Sequence, residues 1–257
     1  VPASAAERRL QAELRRAVTR DTLVLDFQPR HCLQTGALSA VEAMLRWPHR
    51  RLGTPGSPAA APAPVTDRGL SSLLGGWILQ TACAEAAAWD QPGLPVSVKL
   101  FAAQLRGEDL CLQVATALEE SGLAPDRLEL SIPEQLIFNL EDDAAIAFAG
   151  LRDIGVNLLL DEFGHVFASL IALREIPLTA LKVDRVMLRG LPMDEDNLAV
   201  IRAVIETTHA MGLSVCADGV DTDAQRAVLQ KLTVDEGQGS VFSPPLSAAE
   251  LRAYLKG

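Results

Sequence analysis

The sequence predicts an α/β fold, a TIM or (β/α)8 barrel modified by one antiparallel strand. Three observations predict it. Eight short apolar runs alternate with longer segments of helical period, the rhythm of strands joined by helical crossovers. The 257 residues match the ~250 that such a barrel takes. Only a short turn near Gln34-Thr35-Gly36 separates the first two runs, too little chain for a crossover, so these two pair antiparallel.

The elements follow in order. Residues 1–20 are a lead-in helix, spanning Ser4–Arg20, because Leu10, Leu14 and Val18 recur at helical spacing among charges. The strands are Leu23–Phe27, Leu38–Leu45, Pro95–Leu100, Leu128–Ile132, Asn157–Leu160, Ala180–Val183, Leu213–Ala217 and a weaker one at Val234–Gln238. Helices lie between them at Leu70–Trp89, Asp109–Ser121, Asp142–Ile154, Phe167–Arg174, Asp196–Met211 and Asp223–Lys231, and Ala248–Leu255 closes the chain. One segment, residues 52–66, is rich in Pro and Gly: Gly53-Thr-Pro-Gly-Ser-Pro-Ala-Ala-Ala-Pro-Ala-Pro64. That composition forbids regular helix or sheet and predicts a surface loop on the rim after the second strand, either a tolerated insertion or a lid or partner-binding loop. The whole chain reads as one domain, and its start at Val1 suggests a segment of a longer multidomain protein.

Hydrophobic residues at 49% and charged residues at 22% are globular proportions and exclude disorder for most of the chain. The 33 Asp and Glu outnumber the 23 Lys and Arg, for a net charge of -10, which argues against long nucleic acid or an anionic membrane as a partner. A small phosphorylated ligand needs only one or two well-placed cations and stays open. No apolar stretch reaches the ~18 residues of a membrane span. Cys32, Cys83, Cys111 and Cys216 are scattered, as are the four His, so neither a dithiol nor a zinc site is indicated; free thiols point to a reducing, cytoplasmic setting.

In such a barrel the chemistry sits where strands end. Those exits carry Glu42, Lys99, Ser131, Asp161, Lys182, Asp218 and Gln238, a ring that solubility alone does not explain. Glu42 and Arg46 share one face of the second strand and read equally as a buried ion pair or as functional groups. Asp161 and Glu162 emerge together after Leu158-Leu159-Leu160, either as oxygen ligands for Mg2+ or Mn2+ or as a helix cap beside a solvated acid. Asp184 and Arg185 read as an ion pair at the rim. Gly237-Gln238-Gly239 could bring backbone close to a phosphate, although two glycines are a weak signal.

Laid in order, these segments resemble the EAL family of cyclic di-GMP phosphodiesterases over almost the whole chain. The matching stretches are Phe27-Gln28-Pro29, Val41-Glu-Ala-Met-Leu-Arg-Trp47, Val96-Ser-Val-Lys-Leu100 and Leu128-Glu-Leu-Ser-Ile-Pro-Glu134. They continue with Leu160-Asp-Glu-Phe-Gly164, Leu181-Lys-Val-Asp-Arg185, Ala217-Asp-Gly-Val-Asp-Thr222 and Gly237-Gln-Gly-Ser-Val-Phe-Ser-Pro-Pro-Leu246. The resemblance implies two divalent ions that bind the scissile phosphate and a metal-held water that attacks it. It makes Glu42 and Asp161 metal ligands, Lys182 the lysine that helps activate the water, and Glu134 the glutamate that steadies the loop after the fifth strand. Gln28 and Arg46 match nucleotide-contacting positions, and Gln238 keeps the family glutamine.

The departures are the informative part. Lys99 stands where the resemblance implies a metal-binding Asn, and Ser131 where it implies a metal-binding Glu. Met44 replaces the signature leucine, Glu162 the second of the paired aspartates, and Asp218 and Asp221 shorten two glutamates. His165-Val-Phe-Ala-Ser169 replaces the loop that couples catalysis to dimerisation, which puts the homodimer implied by the family in doubt. Two unit charges at ~4 Å repel by about 4 kcal/mol at an effective dielectric of 20, so an ammonium at Lys99 opposes a divalent ion. Lys99 is therefore expected to pair with Glu42 and Asp161 in the metal's place. The expectation is a degenerate, inactive domain with Lys182 and Glu134 as vestigial catalytic groups and Glu42, Asp161 and Glu162 as vestigial metal ligands. No cofactor is expected. The domain would work as a cyclic di-GMP receptor through Gln28, Arg46, Lys99, Asp218, Asp221 and Gln238, or as an interaction module for flanking signalling domains or a protein effector. The alternative is a weak Mg2+- or Mn2+-dependent phosphodiesterase that yields linear pGpG; a barrel enzyme for another phosphorylated substrate has no positive support.

Overall fold

The computed structural model describes residues 5–20, 22–47, 68–105, 110–137, 142–165 and 172–256. Helix α1 (Ala5–Thr19) leads in, with Leu14 and Ala17 buried. Strands β1 (Val24–Cys32) and β2 (Leu38–Arg46) form an antiparallel hairpin about the turn at Gly36. Then come α2 (Arg68–Ala87), β3 (Val96–Lys99), α3 (Ala102–Leu105), α4 (Leu110–Ser121), β4 (Leu128–Pro133), α5 (Glu134–Ile137), α6 (Asp142–Ile154) and β5 (Asn157–Phe163). The chain continues with β6 (Ala180–Val183), α7 (Arg185–Leu188), α8 (Glu195–Ala210), β7 (Ser214–Asp218), α9 (Asp223–Lys231), β8 (Glu236–Gln238), β9 (Leu246–Ser247) and α10 (Ala248–Tyr254).

Strands β2 to β8 run parallel in sequence order, and β1 closes the barrel between β8 and β2, antiparallel to both. The predicted α/β barrel with one antiparallel strand is the observed fold. Strand β9, which pairs with β1 at Asp26 and Phe27, has no counterpart in the sequence reading. Strand β1 also runs past Phe27 through Gln28-Pro29. On the side away from β2 it meets β9 at residues 26–27 and β8 at residues 31–32. Pro29 falls in the gap between, where the amide hydrogen it lacks has no ladder partner to satisfy.

The core lies between the barrel wall and the helices, where outward-facing strand residues such as Phe27, Val96, Leu130 and Leu160 pack against Leu74, Leu79, Val114, Phe148 and Leu151. Phe27 meets the edge of Trp89, ring centres 6.1 Å apart. The helices start and stop close to expectation, and their termini show why: Asp194 accepts from the Asn197 amide ahead of α8, and Thr222 with Gln225 and Ser247 with Glu250 form capping boxes on α9 and α10. The short helices α3, α5 and α7 after β3, β4 and β6 have no counterpart in the sequence reading. Of the helix expected over Phe167–Arg174, the described part is a 3-10 turn, Ala172–Glu175. The Pro/Ala-rich segment at 52–66 and the loop residues 166–169 lie outside the described residues. No helix among the described residues is long and apolar enough to cross a membrane.

Candidate functional site

Side chains on the inner face of the barrel form layers along its axis. Register sets them: on the β1–β2 hairpin Arg30 pairs with Ala40, Gln28 with Glu42 and Asp26 with Met44, so even-numbered residues climb one face together. In the lowest layer Arg30 grips Glu129 through both terminal nitrogens at 2.9 Å, while its Nε stands 2.8 Å from Glu236. Burial disfavours both charges, but the pairing more than offsets it, holding the Arg30 pKa up and the Glu129 pKa down. Sequence reasoning missed this plug. Its signal was a lone charge within an apolar run, Leu128-Glu129-Leu130.

The middle layer gathers most of the predicted residues. Lys182 Nζ donates to Glu42 Oε2 at 2.7 Å and lies 3.7 Å from Asp161 Oδ1. Gln238 Nε2 donates to the same Glu42 oxygen at 2.7 Å and to Gln28 Oε1 at 3.0 Å, and Gln28 Nε2 donates to the Ser243 carbonyl. Asp161 accepts from the Ser131 hydroxyl at 3.0 Å and from the Glu162 amide at 2.8 Å. Lys99 Nζ lies 2.6 Å from Glu162 Oε1 and 3.1 Å from Asp161 Oδ2. The backbone is built for this: β5 shifts register between Leu160 and Phe163, and Glu162 sits at φ +59°, which turns both carboxylates toward β3.

Around the rim, Arg46 Nε stands 2.8 Å from Asp26 Oδ2. Asp218 faces Arg185 at 3.8 Å, and His165 Nε2 lies 3.1 Å from Asp184. Glu134 is fully buried, and its Oε2 accepts from the amides of Gly164 and His165 at 3.2 and 3.1 Å. Asp221 is not in the ring; it is exposed on the loop after β7 and accepts from the Ser240 hydroxyl at 2.7 Å.

Four expectations need correction. Lys99 does not pair with Glu42: Glu162, one residue beyond Asp161, is nearer, and Glu42 belongs to Lys182. Glu42 and Arg46 share a face but not a contact, because Asp26 on the neighbouring strand reaches the guanidinium first. Asp184 and Arg185 are not a pair; Asp184 caps α7 at the Val186 amide, and Arg185 turns to Asp218. Asp161 and Glu162 do not follow the fifth strand but belong to it.

Two ammonium groups thus sit among the carboxylates. For Lys182 burial opposes the charge, yet Asp161, Glu42 and Asp218 outweigh it and raise its pKa well above the usual lysine range. Lys99 behaves alike, with burial overcome by Asp161 and Glu162. Asp161 is desolvated too, but Lys182 and Lys99 hold it well below the usual carboxylate range. Asp218 goes the other way: burial pushes it up to about 6, with Lys182 opposing and Glu42 adding to the rise.

This donor set does not fit a hard divalent cation as it stands. Glu42 Oε2, both Asp161 oxygens and Glu162 Oε1 are already engaged by protein donors or ammonium groups. Among the described residues no three His, Cys, Asp or Glu gather into a metal-holding group. Hard cations take six or more oxygens, whereas here the positive charge is supplied by lysine.

Comparison with known proteins gives the chain its relatives. The EAL domain family model matches residues 11–245. An uncharacterised protein of Sinorhizobium fredii, y4lL, is 36% identical over 251 residues, 98% of this chain and 30% of its own length. The cyclic di-GMP phosphodiesterase NbdA of Pseudomonas aeruginosa is 34% identical over 253 residues, 97% of this chain and 32% of its own length. The chain therefore spans about a third of these curated relatives. Among solved structures, the PaMucR phosphodiesterase in complex with c-di-GMP is 32% identical with a TM-score of 0.84, covering 95% of this chain and 99% of that one.

Proposed function

The chain belongs to the EAL domain family, and from that premise we propose that it serves cyclic di-GMP signalling as a catalytically inactive receptor domain. The contact that carries this reading is Lys99 on Asp161 and Glu162 at 3.1 and 2.6 Å, an ammonium group in the place a divalent ion would need. Each unit of ion charge would be repelled by about 4 kcal/mol at ~4 Å. Hydrolysis through two metals then has neither its electrophile nor its nucleophile. Binding needs less. Arg46 at the rim can fork to a phosphate, and the partly exposed Lys99 offers a second cation, while Lys182 stays with Glu42 and Asp161. Gln28 and Gln238 are held in one hydrogen-bonded chain with Glu42, which gives the pocket floor a fixed shape. Occupancy would be passed to flanking signalling domains or to a protein effector in the cytoplasm. Had the ligand been lost as well, the barrel would act only as an interaction module.

The test is calorimetric titration of cyclic di-GMP in EDTA and again with Mn2+, with the recovered nucleotide assayed for linear product. Binding in EDTA with the nucleotide intact is expected, and Arg46→Ala should abolish it. Binding only with Mn2+, followed by cleavage, would make the protein a phosphodiesterase and overturn the reading. Silence in both would leave the interaction module.

A further inference from the structure

Arg46 belongs to a motif read from the sequence, but its partner Asp26 belongs neither to those motifs nor to the lysine-centred layer. Asp26 is on β1 opposite Met44, and Arg46 on β2 opposite Val24, so the two are diagonal neighbours on the inner face, one layer above Gln28 and Glu42. Among the described residues Asp26 makes the direct contact with the guanidinium, and Glu250 adds its charge from farther off. The guanidinium's closest approach is Nε to Asp26 Oδ2 at 2.8 Å, an ion pair without an aligned N–H, and its two terminal nitrogens make no hydrogen bond to any described residue. The arginine side chain is 42% exposed and the aspartate 18%, so the anchor lies below and the fork lies at the mouth. The anchor is itself fixed: β9 pairs with β1 at Asp26, and Phe27 beside it is completely buried.

We propose that Asp26 is a positioning residue for Arg46, pinning the Nε side so that the two terminal amino groups meet the non-bridging oxygens of a phosphodiester at the barrel mouth. The site of contact distinguishes this from competition. A carboxylate acting as a rival for the ligand would occupy the two-nitrogen edge that matches two oxygens, as Glu129 does on Arg30. Here no described residue occupies that edge. Immobilising a long side chain before the ligand arrives removes an ordering cost worth a few-fold to roughly tenfold in affinity. The inference rests on the receptor reading for its ligand, but not for its geometry.

The experiment therefore has two readouts on the full chain: cyclic di-GMP affinity by calorimetry in EDTA, and the ¹⁵Nε order parameter of Arg46 without ligand. Asp26→Ala should weaken binding roughly tenfold and loosen the Arg46 guanidinium, while Asp26→Glu restores much of both. In an Arg46→Lys background, whose single ammonium group has no fork to orient, Asp26→Ala should cost less than in the wild-type chain. Equal or tighter binding by Asp26→Ala, or the same loss in the Arg46→Lys background, would overturn the proposal. If the wild-type chain binds no nucleotide, the receptor reading falls. The order parameter still decides the positioning claim: a rigid Arg46 that loosens in Asp26→Ala upholds it, and one equally mobile in both removes it.

Discussion

Lys99 and Ser131 converge on a single carboxylate oxygen. Oδ2 of Asp161 receives the Lys99 ammonium at 3.1 Å and the Ser131 hydroxyl at 3.0 Å. The three residues sit on β3, β4 and β5, adjacent parallel strands, with Lys99 in register with Ser131. The two residues expected to depart from the family pattern are therefore neighbours in space. A short hydroxyl beside Asp161 leaves room for the lysine, whose ammonium group lies against both Asp161 and Glu162.

Metal binding should follow the pair, not either residue alone. Lys99→Asn with Ser131→Glu removes the ammonium and adds a carboxylate, and it should confer Mn2+ binding in the millimolar range or better, read by calorimetry or Mn2+ resonance. Ser131→Glu alone should not, because Lys99 would pair with the added carboxylate. A double variant that binds no Mn2+ would show that charge at Lys99 is not what opposes the ion.

Asp218 gives the site a pH signature. Burial lifts its carboxyl from 3.8 to about 6, so between those values the folded state holds a proton the unfolded state has released. The stability it contributes is full below 3.8 and is lost as pH rises through about 6. The difference amounts to about 3 kcal/mol at most. Asp218→Asn mimics the protonated form, so it should match wild type near pH 4 and be more stable at pH 8, by up to roughly 10 °C in Tm. Denaturation midpoints of both proteins across that range check it; a constant offset at every pH would mean that Asp218 titrates normally.

The barrel was legible because its signals are local: apolar runs, a turn too short for a crossover, and polar residues at the ends of Leu- and Val-rich strands. The identity of the ring was legible for the same reason. Its wiring was not. Nothing local says that Lys182 rather than Lys99 reaches Glu42, since β2 and β6 meet only across the barrel interior. Glu162 has a positive φ that glutamate rarely adopts, so no sequence signal marks the bend that brings it to Lys99. Asp26 lies in Leu25-Asp26-Phe27, and its contact with Arg46 depends on a diagonal register that the hairpin alone sets.

Glu134 is where the start of the loop after β5 can be tested from inside. Its buried carboxylate accepts the amides of Gly164 and His165 from a position directly after β4. Hydrogen bonds to a charged acceptor are worth about 1.5–3 kcal/mol each. Glu134→Ala should speed hydrogen exchange at Gly164 and His165 by ten- to a hundredfold, ahead of any global loss, while Glu134→Gln keeps an acceptor and shows less. Exchange rates unchanged in Glu134→Ala would mean that other contacts hold the loop.

Gly239, beside Gln238, has a packing reason of its own. Gly239 has φ +153°, and a Cβ there would collide with the backbone of Val220. Those backbones are stitched together: the Val220 amide donates to the Gln238 carbonyl at 2.9 Å, and the Val241 amide donates to the Val220 carbonyl at 3.2 Å. A side chain at this point has to part the exits of β7 and β8, and Gln238 would be carried away from Glu42 and Gln28. Gly36 is the control, because it also has a positive φ, +74°, but no atom lies within 4 Å of its missing Cβ. Gly36→Ala should then cost about 1 kcal/mol from backbone strain alone, whereas Gly239→Ala should cost several times more. Urea denaturation of the two variants decides between packing and a ligand: equal, small losses would free Gly239 from Val220 and return the phosphate as the reason for a glycine there.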